Sequence, residues 1–210
     1  MKRFLTGLGA TVGVLLVVTV AAGWYFQDYV IAYLNYRSAP AEVRTLADQG
    51  EFSREGDRYF YQTAPRIVDK PTLQSACKDV AGEGLLGCYT GRIYLQQIGN
   101  TEFQSEMTVT AAHEMLHSAY HNLTPEERAE TERLVEETLR SRNDPELTER
   151  ISKYDDRAAQ LDEAFAILGT EVPDDQLSAD LVRRYDEYFD DRSKVCLLYT
   201  SDAADDKARV

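Results

Sequence analysis

Val109-Thr110-Ala111-Ala112-His113-Glu114-Met115-Leu116-His117-Ser118-Ala119-Tyr120-His121 is the stretch from which the rest of the chain can be read. Val109, Ala112, Leu116, Ala119 and Leu123 recur at the spacing of one helix face, which predicts a helix from Ser105 to His121. Residues four apart on a helix lie one turn apart and project from the same side. His113 and His117 meet that condition, and all three histidines of the chain fall between positions 113 and 121. HExxH on a helix is the pattern in which two imidazoles hold Zn2+. Glu114 lies beside the first imidazole, where its carboxylate can take the proton of a zinc-bound water whose pKa falls towards roughly 7. The expectation is a zinc site on His113 and His117, with Glu114 as general base.

A catalytic zinc usually holds three protein ligands and keeps one position open. His121 continues the i+4 series, but at 1.5 Å per residue it lies about 12 Å along the axis from His113. One ion cannot bond both on a straight helix, and no glycine lies between His117 and His121 to turn the chain back. Glu163 is the better candidate. Ala159, Ala166 and Ile167 flank it, and small residues let two helices approach. A carboxylate buried among them would need a cation. Asp162 and Glu171 compete with it on sequence alone.

His113-Glu114-x-x-His117 with a downstream helical Glu163 resembles the gluzincins, zinc peptidases whose third ligand is a glutamate. Gly87-Cys88-Tyr89, Arg92-Ile93-Tyr94-Leu95, the stretch from Val109 to His117, Glu163, Gly169-Thr170-Glu171 and Tyr185-x-x-Tyr188-Phe189 are also similar to small bacterial membrane-anchored proteins of that type. The resemblance covers roughly residues 40–194. It implies zinc-dependent hydrolysis of peptide bonds in a peptide or protein substrate, with His113, His117 and Glu163 as ligands. It further implies that Arg92, Ile93, Tyr94 and Leu95 form an edge strand that aligns substrate by main-chain hydrogen bonds. An oxyanion donor is usual in the class, and Tyr185, Tyr188 and Tyr120 are candidates. The competing reading is a non-catalytic zinc-binding envelope module that keeps the fold without turnover.

The flanks say where such a domain would work. Met1-Lys2-Arg3 is basic, and Phe4 to Phe26 contains no charge. About 20 apolar residues cross a bilayer, and Trp24 and Tyr25 sit where an interfacial aromatic belt would be. The positive flank places residues 1–3 in the cytoplasm, 4–26 across the cell membrane, a linker at 27–38 and the peptidase domain, 39–194, outside. A cleaved signal peptide ending near Val20-Ala21-Ala22 is the alternative, and either reading exports the domain. Export favours a disulfide between Cys77 and Cys88. Val195 to Val210, including Cys196-Leu197-Leu198-Tyr199-Thr200-Ser201-Asp202-Ala203-Ala204-Asp205-Asp206, reads as a tail foreign to the chain. With 210 residues the chain can build one core, and its net charge of −13 argues against nucleic-acid binding.

The remaining pattern predicts an α+β domain, and the resemblance implies a zincin-like one with a short, mainly antiparallel sheet. Ala39–Gly50 reads as a helix, Asp57–Gln62 and Arg66–Val68 as strands, Pro71–Val80 as a helix, and Cys88–Leu95 as a turn followed by a strand. Thr124-Pro125-Glu126-Glu127 is a capping box. Asp144-Pro145 opens a helix with Ile151, Tyr154, Ala158, Leu161, Phe165 and Leu168 on one stripe and Gly169 as its stop. Leu177–Phe189 is the last helix.

Overall fold

A computed structural model of the chain describes residues 26–78, 85–99 and 104–208, with Gly23 and Val80 besides. Helix α1 covers 26–38, α2 Ala41–Gln49 and α3 Arg54–Gln62. Strand β1 (Arg66–Val68) leads into α4 (Lys70–Ala76), and β2 (Gly87–Tyr89) and β3 (Ile93–Gln96) form a hairpin. Then come α5 (Gln104–His121), α6 (Pro125–Arg142), α7 (Pro145–Ile151), α8 (Arg157–Glu171), α9 (Ala179–Tyr185) and α10 (Arg192–Ala208). The class is α+β, mostly helical beside one small sheet.

Helix α5 is the axle. Met107, Ala111, Ala112, Met115, Leu116 and Ala119 are buried on it, and it packs against α2, α3, α8, α10 and both hairpin strands. Its closest neighbour is α8, and Gly169 sets how close. A Cβ on Gly169 would lie 2.4 Å from Leu116 Cδ1 and 2.7 Å from Tyr185 Cε1. The glycine expected to stop this helix is therefore a contact point inside it, and α8 runs on to Glu171.

Other expectations shift in the same way. Residues 57–62 are helical, not a strand, because Ser53 caps α3 by accepting from the N–H groups of Glu55 and Gly56. Gly56, Tyr59 and Phe60 are then buried at helix spacing, which outweighs the β preference of the aromatics. Cys88 belongs to a strand rather than a turn. The helix opened by Pro145 breaks after Ile151 and restarts at Arg157, where Asp156 accepts from Ala159 N. The last predicted helix contracts to α9, capped by Ser178. Thr124 and Glu127 do form the capping box.

The sheet is mixed, not mainly antiparallel. Its order is β1-β3-β2, with β1 parallel to β3 and β2 antiparallel to it. Cys77 and Cys88 are joined by a disulfide, Cα to Cα 6.0 Å, which ties the end of α4 to β2. Both sulfurs lie in a small apolar cluster with Leu73. Closing this 11-residue separation stabilises the fold by about 2–3 kcal/mol.

Ordered structure runs through both ends of the expected domain. The stretch expected as a linker at 27–38 is helical. Its Asn35 Nδ2 donates to Tyr61 O of α3 at 2.8 Å. The boundary expected at Lys194 falls inside α10, where Val195 and Cys196 are buried. The expected membrane span lies outside the described residues, apart from Gly23 and Phe26. Among the described residues no helix is long and apolar enough to cross a membrane.

Two stability predictions follow from these contacts. Gly169→Ala overpacks the α5–α8 contact and should cost about 1–3 kcal/mol in urea unfolding. Asp57 is the second. Burial, with Asp48 and Asp190 nearby, raises its pKa from 3.8 to about 6. The folded state therefore binds more protons than the unfolded state between those values, and stability falls as pH rises through that window. Asp57→Asn should melt higher than the parent above pH 6, with the gain shrinking to nothing towards pH 4.

Candidate metal centre

Three donor atoms converge where α5 meets α8. His113 and His117 stand one turn apart with Nε2 to Nε2 3.1 Å, their rings edge to face. Glu163 reaches across from α8, and its Oε2 lies 3.6 Å from His113 Nε2 and 3.4 Å from His117 Nε2. The three side chains form a group able to hold a metal ion, with all donor atoms within 4.8 Å of one another. Glu163 is only 12% exposed. Burial pushes its pKa up, but hydrogen bonds to the two imidazoles outweigh that and hold the carboxyl well below its usual range.

The residue before it faces the other side of the same imidazole. Asp162 Oδ1 is 2.8 Å from His117 Nδ1, and its Oδ2 is 2.9 Å from His121 Nε2. With Asp162 at Nδ1, the Nε2 of His117 is the ring nitrogen turned towards Glu163 and His113. Burial disfavours the charged imidazole, but Asp162 and Glu163 overcome it and raise the His117 pKa well above its ordinary value. Asp162 is thus an orienting carboxylate, not a competitor for the cluster. His121 hangs from it, over half exposed and outside the cluster. Glu171 is engaged elsewhere, bidentate to Arg150 at 2.6 Å on both oxygens.

Glu114 is buried beside the cluster, and burial raises its pKa against the partial offset of His117 and His113. It lines a cleft of about 420 Å³ together with Leu85, Leu86, Gly87, Val109 and His113. Gly87 lets β2 come this close. A Cβ there would sit 2.6 Å from Thr110 Cγ2 and 3.2 Å from Glu114 Cγ.

The chain matches no family model, no curated protein and no solved structure.

The strand expected at an edge is the central one. β3 has β1 on one side and β2 on the other, so Tyr94 and Leu95 are paired on both sides, Ile93 pairs with Tyr89 of β2, and Arg92 precedes the strand. Ile93 and Leu95 are core residues, Tyr94 packs on the disulfide cluster, and Arg92 Nη1 donates to Ala64 O at 3.0 Å. The hairpin strand that walls the cleft is β2. The tyrosines expected as oxyanion donors are engaged elsewhere. Tyr185 OH donates to Phe165 O, Tyr120 OH to Glu132, and Tyr188 is buried against Tyr59 and Phe165.

Tyr154, read only as one member of a helix stripe, sits in the break between α7 and α8 and lines the metal-side cavity. Burial and the hydrogen-bonded Glu163 carboxylate raise its phenol pKa far above normal. The signal available in the sequence was Asp156, an N-cap residue that opens α8 by accepting from Ala159 N.

The orienting role of Asp162 is testable by calorimetric titration of zinc or cobalt into the apo chain. Asp162→Asn should weaken binding about 10–100-fold, while His121→Ala should leave it nearly unchanged. Equal affinity for Asp162→Asn and the parent would remove Asp162 from the centre.

Proposed function

We propose that the chain is a zinc-dependent peptidase of gluzincin type, exported and held to the cell membrane by Phe4–Phe26. One observation carries the reading. Four ligands about 2.0–2.1 Å from one ion at tetrahedral angles lie about 3.3 Å from each other. The three donors of this centre are separated by 3.1, 3.4 and 3.6 Å. Two imidazoles and a carboxylate with a fourth position open form a catalytic zinc donor set. When bound there, zinc would supply Lewis acidity to the attacking water and to the scissile carbonyl.

The protein's own residues divide the remaining work. Glu163 brings negative charge to the Nε2 side of both imidazoles, and Asp162 fixes the ring of His117 from behind. Tyr154 holds the Glu163 carboxylate. Glu114, next to His113 and lining the open cleft, takes the proton of the attacking water and returns it to the leaving amide nitrogen. An extended peptide lying along β2 would pass over Glu114, with one apolar side chain between Leu85, Leu86 and Val109.

Glu114→Gln keeps the shape and removes the base. The variant should bind one zinc per chain as the parent does, yet lose about 10²–10⁴ in the rate of cleavage of an unfolded protein substrate. His113→Ala should lose both metal and cleavage. A Glu114→Gln variant that cleaves at the parent rate rejects this mechanism. Zinc binding by the parent with no cleavage of any offered polypeptide would favour the non-catalytic module.

A further inference from the structure

Helix α1 has two unlike faces. Inward, Ala32 is buried, and Tyr36 meets Tyr61 edge-on at 5.2 Å. Tyr29 hydrogen-bonds Glu55 and lies under Arg54 and Arg58, whose Cζ atoms are 5.4 and 5.2 Å from its ring centre. Outward, Val30, Ile31, Tyr33 and Leu34 are 54, 45, 57 and 59% exposed. Of the large apolar side chains exposed to this degree among the described residues, Leu197 alone lies outside this helix. Apolar residues scattered singly over a surface are ordinary, but a contiguous set on one helix arc marks something that covers it.

The sequence shows what adjoins that arc. The uncharged run Phe4–Phe26 ends where the arc begins, with Trp24-Tyr25-Phe26 at the junction. A lipid phase that takes the run is therefore next to α1. Helices that lie in an interface carry one apolar face and one polar face, and tyrosine and arginine settle at the headgroup level. Tyr33 and Arg37 sit together on the exposed arc, the Arg37 guanidinium 6.0 Å from the ring centre. Net charge does not attract this chain to an anionic surface, since it is −13. Apolar insertion has to do so.

We propose that α1 lies in the bilayer–water interface of a zwitterionic phospholipid membrane, with Val30, Ile31 and Leu34 turned into the acyl boundary. This inference rests on the anchor at Phe4–Phe26 and not on the metal centre. Because α1 is pinned to α3, the interface also fixes how the domain is turned. Helix α3 stands between α1 and the motif helix, with Gln62 Nε2 donating to Ser118 Oγ at 3.4 Å and Ser118 Oγ donating to Tyr59 O at 2.9 Å. The metal cleft opens on the side of α5 that meets β2 and α8.

The test uses the full chain reconstituted in phosphatidylcholine vesicles, with Trp24→Phe removing the one native tryptophan. Val30→Trp and Leu34→Trp are made singly in that background, with Arg133→Trp on exposed α6 as the aqueous control. Emission from the first two should be blue-shifted, and brominated acyl chains should quench it about twofold or more, while the control is untouched. Solvent-like, unquenched emission at positions 30 and 34 overturns the proposal. So does blue-shifted emission that brominated lipid leaves unquenched, which would assign the arc to a contact between copies of the chain. Neither readout depends on metal or hydrolysis, so this proposal and the peptidase reading fail separately.

Discussion

The separation of α5 and α8 is the constraint on which the rest depends. Gly169 against Leu116 and Tyr185 lets the two backbones close to a distance no larger residue would permit. Ala164 and Ala166 are fully buried along the same helix. That approach brings a carboxylate from one helix between two imidazoles of the other. The sheet, α3 and α10 surround α5 and hold it in place. His113 and His117 stay partly exposed on a helix that is otherwise largely buried, and so mark where the fold is open.

Much of this was legible because it is local. The spacing of His113 and His117, the box at Thr124 and the pairing of Cys77 with Cys88 depend on neighbours or on compartment, and each stands in the structure. Glu163 could be argued from the small residues around it, and it does lie at the imidazoles. What failed was non-local or balanced. Whether β3 is an edge or a centre depends on β1, more than 20 residues earlier, coming to pair with it in parallel. Tyr59-Phe60-Tyr61 favours a strand by side chain, yet Ser53 supplies the cap that nucleates a helix. The split near Tyr154 was hidden because the apolar stripe keeps its period on both sides of the break.

Adjacent acids on α8 illustrate how a helix assigns roles that composition cannot. Asp162 and Glu163 differ by one methylene and one position, about 100° of helix turn. One meets Nδ1 of His117, the other Nε2 of both histidines. Each carboxyl is pulled below its usual pKa against the upward push of burial. The excess negative charge of this corner would be unfavourable in an apolar interior without imidazolium or a bound cation beside it.

Helix α8 is closed at both ends. Asp156 accepts from Ala159 N at 2.8 Å. At the far end the buried Arg192 guanidinium donates through Nη1 to the carbonyls of Leu168, Gly169 and Val172. Helices fray from their ends, where backbone groups lack partners. Here the first turn has its acceptor and the last turn its donors, with the cation also placed at the negative pole of the helix dipole. Glu163 rides near the middle of that segment. Little backbone freedom is left for it to lose, and an ion entering between the three donors would meet a rigid gap rather than an adaptable loop.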